Sequence, residues 1–172
     1  IDERSLRDAL AVAARACDAA RAEILPRYRK TTVETKQDGS PVTVADREAE
    51  RAIRRVIGEA FPDDAILGEE FGATERRARR RWIVDPLDGT TNFLHAMPHW
   101  AVSIALEHKG EIVSAVVYDP AKDEMFWAEK GAGCWLNDNR RLRVSGRRAM
   151  HEAVFAPGVP FGAKSTLPAM LK

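Results

Sequence analysis

Apolar residues recur at alternating steps of three and four through Leu6, Leu10, Ala13, Cys17, Ala20 and Ile24, until Pro26 interrupts them. That spacing puts the series on one face of a helix, so the first segment reads as an amphipathic helix with its stripe toward a core. A second stripe, Ala45, Ala49, Ile53, Val56 and Ala60, follows Thr43, which can cap it, and ends at Phe61-Pro62. Between the two, Thr31 to Pro41 gathers Lys36, Asp38, Gly39, Ser40 and Pro41 with little periodicity and reads as a mobile connecting loop.

Past these helices the pattern changes to short runs. Ala65-Ile66-Leu67 and Trp82-Ile83-Val84 come first, then alternating stretches from Ala101 to Glu107 and Ile112 to Tyr118 around Lys109-Gly110-Glu111, the signature of a hairpin. Glu124 to Glu129, Cys134 to Leu136 and Leu142 to Val144 follow, separated by Asp119-Pro120, Gly131-Ala132-Gly133 and Asn137-Asp138-Asn139. The second half is therefore predicted as an antiparallel meander, and helices segregated before strands indicate an α+β layered domain. The segment from Pro157 to Lys172, rich in proline and glycine, reads as an interrupted element and so as a cut.

Composition removes several functions. Of 172 residues 45% are hydrophobic and 31% charged, which suits one ordinary domain able to close a core. Lysine and arginine number 27 against 26 acidic residues, so no global field draws the chain to nucleic acid or membrane, and any charge-driven function is local. Arg76, Arg77, Arg79, Arg80 and Arg81 form a basic run, read as a solvated loop in preference to an RNA contact. Cys17 and Cys134 lie far apart without zinc-ligand spacing, so a reducing, cytoplasmic setting is expected. The opening Ile1-Asp2-Glu3-Arg4 has no leader pattern, and no apolar run approaches the roughly 20 residues of a membrane span; the reading is a soluble chain with its first residues trimmed.

Candidate chemistry sits in Gly68-Glu69-Glu70-Phe71-Gly72 and in Asp85-Pro86-Leu87-Asp88-Gly89-Thr90-Thr91-Asn92-Phe93, each just after a short apolar strand. Pro86 fixes its own φ and biases Asp85 away from helical geometry, so both aspartates and the Leu87 carbonyl can turn toward one point. Hard oxygen ligands converging there suit Mg²⁺. Gly89 has no Cβ to block close approach, and Gly89-Thr90-Thr91 can open a helical turn whose N–H groups face an anion, so a phosphate beside a metal is the natural occupant. Plainer roles stand beside these: Asp46 as the N3 partner of the Thr43 cap, Glu69 and Glu70 as a solvated pair, His95 and His99 as packed or surface groups, and Trp82, Trp100 and Trp127 as core.

Gly68-Glu69-Glu70 followed by the run from Trp82 to Phe93 resembles the two N-terminal signatures of the inositol monophosphatase family, with supporting similarity from Lys36 through Thr43 and Asp46, from Pro98 to Ile104 and from Leu142 to Ser145. The resemblance implies that family's layered carbohydrate phosphatase fold without its C-terminal α/β part, with residues 1–156 as a metal- and phosphate-binding domain and 157–172 as the start of the remainder. It implies a homodimeric, lithium-sensitive phosphatase of small phosphorylated polyols or sugars. Two or three Mg²⁺ would bind in the complete enzyme, with Mn²⁺ as a substitute. Glu69, Asp85 and the Leu87 carbonyl resemble the ligands of a first metal, and Asp85 and Asp88 those of a second. Thr90, backed by Asp46, resembles the group that orients and helps deprotonate the attacking water, and Glu70 the acid supporting that shell. Gly89, Thr90, Asp88 and Lys36 resemble the phosphate surroundings.

Three departures qualify the expectation. No Trp-Asp pair occurs, so the second metal site is expected to lack a ligand; Ser40 or Pro41 stands where the family commonly has an acid; and Pro157-Gly158 stands where it has Thr-Gly. The expected reaction is hydrolysis of myo-inositol monophosphate to inositol and phosphate by metal-activated water. Histidinol-phosphate phosphatase of the same superfamily is the alternative enzyme, because Asp38-Gly39-Ser40-Pro41-Val42-Thr43 resembles that branch, and a truncated, non-catalytic binding module is the alternative of another class.

Overall fold

A computed structural model describes residues 2–37, 39–74, 78–138 and 140–156. The expected second part, 157–172, lies outside the described residues, as do Asp38, Arg76, Arg77 and Asn139.

Helix α1 spans Glu3–Ile24, its first turn capped by the Asp2 carboxylate, which accepts the Ser5 N–H at 2.8 Å. The chain then tightens into a single 3₁₀ turn, Leu25–Arg27, around Pro26. Helix α2, Val44–Ala60, opens with a capping box in which Thr43 and Asp46 satisfy each other's backbone, and ends at Phe61 before Pro62. Both stripes are wider than predicted. On α1, Ala9, Val12 and Ala16 join the buried set while Leu10 is only partly covered; on α2, Ala52 and Ile57 are buried and Val56 is not. The two acids Asp46 and Glu50 are buried on the same face of α2.

The segment expected as a mobile loop is instead a hairpin. Strands β1, Val33–Thr35, and β2, Pro41–Thr43, pair antiparallel with Val33 opposite Thr43, and the Lys36 N–H closes the turn on the Ser40 carbonyl at 2.8 Å. Turn-forming residues hid a short ladder built on the β-branched Val33, Thr35 and Val42.

The main sheet is formed by β3 (Ala65–Gly68), β4 (Gly72–Ala73), β5 (Arg80–Asp88), β6 (Ala101–His108), β7 (Glu111–Asp119), β8 (Glu124–Glu129), β9 (Gly133–Leu136) and β10 (Arg140–Leu142), in the spatial order β10-β9-β8-β7-β6-β5-β3-β4. From β5 to β9 it is the expected antiparallel meander, but the last strand, expected at Leu142 to Val144, lies earlier at Arg140–Leu142 and leaves Val144 exposed; β3 alone among the described strands runs parallel to its neighbour β5. A short helix α3, Thr90–Leu94, joins β5 to β6. Helix α1 lies on β6 and β7 and α2 on β5, burying Trp82, Val84, Val102, Ile104, Leu106, Val116 and Tyr118 beneath them. Full burial of such a side chain is worth about 1.5–3 kcal/mol for the aliphatic members. This is the expected α+β arrangement of helices layered on a mainly antiparallel sheet.

Two smaller expectations change. Arg80 and Arg81 belong to β5, where Arg80 pairs with Asp64 at 2.8 Å over the Phe61 ring and Arg81 pairs with Glu107 at 2.7 Å. Trp82 and Trp100 are core, but Trp127 is only partly buried and stacks on Trp135 with ring centroids 5.8 Å apart.

Candidate active site

A bulge brings the two aspartates together. Asp85 pairs with Ser103 and Asp88 with Ala101, so three steps along β5 span two along β6. In a regular strand residues three apart point to opposite faces; one extra residue returns Asp88 to the side of Asp85, and both line one cavity of about 250 Å³. Pro86 sits inside the bulge, where no ladder donor is required, and the Leu87 N–H fixes the Asp85 carboxylate at 3.1 Å. Gly89 then turns with φ +96° into α3, and a Cβ there would stand 3.0 Å from the His99 carbonyl. The close approach and the left-handed backbone both call for glycine.

Thr90, at the start of α3, directs its hydroxyl to Asp46 Oδ1 and the Leu87 carbonyl, each at 3.1 Å. Asp46 reaches in two directions, since its Oδ2 accepts the Thr43 N–H at 2.8 Å and the Thr43 hydroxyl at 2.6 Å. Its capping role and its contact with the site are thus simultaneous, one oxygen each. Burial raises the Asp46 carboxyl above the usual carboxylate range, against the hydrogen bonds from Thr43 and Thr90.

The tight corner between β3 and β4 presents Glu69 to the same cavity, with Glu70 beside it. The Lys36 ammonium, from the β1–β2 turn, bridges them at 2.8 Å and 2.7 Å. Burial pushes this ammonium down, but its hydrogen bonds to the two glutamates prevail and carry it upward. Burial likewise raises Glu70, with Lys36 opposing. Asp85 is pushed up to about 7 by burial and then by Glu69, whose carboxyl stands close enough to share a proton with it, and by Asp88. Among the described residues no three acidic, histidine or cysteine side chains gather around a single point. Glu69 is turned toward Lys36, whose ammonium stands in for a cation. The donor set is all oxygen, its carboxylates crowd one another, and a cation already bridges two of them, so the residues present fit a hard divalent ion such as Mg²⁺.

Of the residues singled out in the sequence, Glu69, Asp85, Leu87, Asp88, Gly89 and Thr90 line the cavity, together with Ser40, Pro41, Thr91 and Asn92. Lys36, Glu70 and Asp46 reach them through the bonds above. Asp88, Gly89 and Asn92 also line an adjoining cavity of about 430 Å³ with His99, Trp100 and Phe126. The residue missed is Glu50. Fully buried one turn beyond Asp46, it accepts the Glu70 N–H at 2.7 Å and the Phe71 N–H at 3.3 Å, and pairs with Arg54 at 2.7 Å. Its signal was available in the Asp46-x-x-x-Glu50 spacing, which aligns two acids with the apolar stripe.

A family model described as the inositol monophosphatase family matches residues 5–168. The chain belongs to the inositol monophosphatase family. It is 53% identical over 129 residues to the inositol-1-monophosphatase of Rhizobium meliloti, covering 74% of this chain and 48% of that protein. It is 47% identical over 133 residues to the Nus factor SuhB of Pseudomonas aeruginosa, covering 76% and 49%. The solved extragenic suppressor protein SuhB of Bartonella henselae aligns with a TM-score of 0.77 at 43% identity, covering 81% of this chain and 55% of that one; the Thermotoga maritima IMPase aligns at 0.75 and 35% identity, covering 81% and 54%. The chain spans about half the length of the curated relatives it matches. Both helices and the sheet that carry the cavity therefore belong to the inositol monophosphatase fold.

Proposed function

We propose that the protein to which this chain belongs hydrolyses a small phosphomonoester with Mg²⁺, inositol monophosphate being the favoured substrate. The observation that carries this reading is the gathering of Glu69, Asp85, Asp88 and Thr90 around one 250 Å³ cavity, with Asp46 bonded to the Thr90 hydroxyl. Glu69, Asp85, Asp88 and the Leu87 carbonyl would hold magnesium, and Mn²⁺ in its place. Bound there, the metal supplies charge neutralisation for the phosphate dianion and acidifies water. Thr90 donates its hydroxyl hydrogen bond to Asp46, leaving its lone pairs to orient an attacking water; as that water passes a proton to Thr90, the Thr90 proton passes to Asp46. Burial makes Asp46 a better terminal acceptor, consistent with its raised carboxyl. Lys36 and Glu70 brace the Glu69 side, and the Gly89–Thr90 backbone offers the phosphate a wall without a side chain.

The sequence similarity to the Rhizobium inositol-1-monophosphatase supports inositol phosphate over histidinol phosphate. Similarity to relatives named Nus factor SuhB supports a second reading, in which the protein acts through a partner and turnover is secondary. Phosphate release from inositol 1-phosphate, histidinol phosphate and fructose 1,6-bisphosphate, measured with and without Mg²⁺, separates the three. Magnesium-dependent release fastest from inositol 1-phosphate, lost about 100-fold or more in Asp88→Asn, is the expected result. An intact protein that binds Mg²⁺ yet releases phosphate from none of them would overturn the enzymatic reading and favour the partner one.

A further inference from the structure

Helix α2 holds the surroundings of the cavity at two points, and only one of those contacts, Asp46 with Thr90, is used in the proposed reaction. Glu50, one helical turn on, is the other. Its carboxylate is fully buried and receives three donors, the Glu70 and Phe71 N–H groups and the Arg54 guanidinium. Arg54 extends the clamp by donating to the Gly72 carbonyl at the far end of the same corner. The remaining N–H of the turn, that of Glu69, bonds the Val84 carbonyl of β5 at 3.1 Å. Every backbone N–H from Glu69 to Phe71 is therefore spent on holding the corner in place, and two of the three go to one side chain.

The glycine before the corner reports the same constraint. A Cβ at Gly68 would lie 1.9 Å from Glu50 Oε1 and 2.3 Å from its carboxyl carbon. No side chain fits there while the Glu50 carboxylate occupies its place, and that carboxylate cannot withdraw without giving up three part-buried hydrogen bonds. Gly68 is thus required by Glu50 and not by its own backbone conformation.

We propose that Glu50, seconded by Arg54, is a positioning residue that sets where Glu69 and Glu70 stand relative to Asp46 and Thr90. Resting on the magnesium reading above, it makes α2 the common ruler of the site. Asp46 and Glu50 lie one turn apart on a rigid helix, so fixing the Thr90 hydroxyl to the first and the Glu70 backbone to the second fixes the separation of Thr90 from the Glu69–Glu70 corner. Glutamine at position 50 would keep the shape but present an NH₂ group to at least one of the three converging donors, loosening the corner without opening a cavity.

The test uses the intact protein and compares Glu50→Gln, Arg54→Gln and, as a core control on the same helix, Ile53→Val. Mg²⁺ affinity by calorimetric titration, kcat and KM for inositol 1-phosphate, and thermal midpoint are measured for each well below that midpoint. Glu50→Gln is expected to weaken Mg²⁺ binding and lower kcat by about tenfold to 100-fold with KM changed much less, the range seen when groups that orient metal ligands are removed. Arg54→Gln, at a partly exposed position, should move the same quantities in the same direction by less; Ile53→Val should lower only the midpoint. If Glu50→Gln does not fold, Arg54→Gln carries the test. A Glu50→Gln or Arg54→Gln protein that is destabilised like Ile53→Val but binds Mg²⁺ and turns over normally overturns the proposal, leaving Glu50 a fold residue. Glu69→Gln included alongside distinguishes the failures, since unchanged Mg²⁺ binding in that variant would instead refute the magnesium reading itself.

Discussion

The two halves of β5 obey different rules. From Arg81 to Val84 the strand pairs in regular register with β3 on one side and β6 on the other, and Trp82 and Val84, two residues apart, both turn into the core. Between Asp85 and Asp88 it leaves that register; Leu87 still packs into the core, while the Asp85 carboxylate accepts the Leu87 N–H and is crowded by Glu69 and Asp88. The first half gains stability from burying apolar surface. The second half is held in place by the first and stores electrostatic repulsion that a cation can relieve. One strand thus supplies both a rigid support and a site that the support prevents from relaxing.

The sharpest way to break this comparison is to damage the packing against the first half and the charge on the second, and measure stability. Ile104, which pairs with Val84 and is fully buried, should cost about 2–5 kcal/mol as Ile104→Ala in urea unfolding. Asp85→Asn in the metal-free protein should cost nothing or stabilise, because it removes a charge whose burial raises the carboxyl pKa to about 7. Equal losses from the two would show that the bulge is part of the supporting framework.

A smaller effect concerns protons and magnesium. Metal ligation needs the Asp85 carboxylate ionised, and with burial and Glu69 raising it to about 7 it is mostly protonated at pH 6 in the metal-free protein. Magnesium must displace that proton, so affinity rises with pH through about 7 and levels off above it. Calorimetric titration is expected to give Mg²⁺ binding about tenfold weaker at pH 6 than at pH 8, with proton release in the acid arm. Affinity flat across that interval would show that Asp85 is not a ligand.

How much of this was legible in the sequence follows the same division. Where period is sustained, the reading holds: both helices, the β6–β7 hairpin and the meander through β9 follow from spacings of 3.6 and 2, while the short last strand sits two residues earlier than expected. Where hydrogen bonds between distant segments decide, it does not. The β1–β2 hairpin was hidden behind turn residues, and the parallel pairing of β3 with β5 leaves no trace in alternation. The Asp85-x-x-Asp88 pair was visible as a motif, while the register shift that puts both on one side depends on what β6 does opposite them. Glu50 was overlooked because an acid on a helix reads as solvent-facing until the donors that bury it, 20 residues away, are known.

The mildest perturbation falls where support and site share an atom. Thr43 begins α2 by accepting the Ala45 N–H at 3.0 Å, and its hydroxyl donates to the same Asp46 whose other oxygen receives Thr90. Thr43→Ala removes the cap, expected to lower stability by about 0.5–2 kcal/mol in thermal or urea unfolding. It also takes one donor from a buried carboxylate, which raises Asp46 further and frees it to rotate away from Thr90. Thr43→Ser keeps the hydroxyl and should restore both properties. The two contributions separate in the rates: if the helix start only supports the fold, Thr43→Ala turns over normally once folded at low temperature, whereas a shared role lowers kcat along with stability and serine rescues the two together. Normal kcat in the alanine variant would show that Thr90 holds Asp46 in place unaided, and that the capping box serves the helix alone.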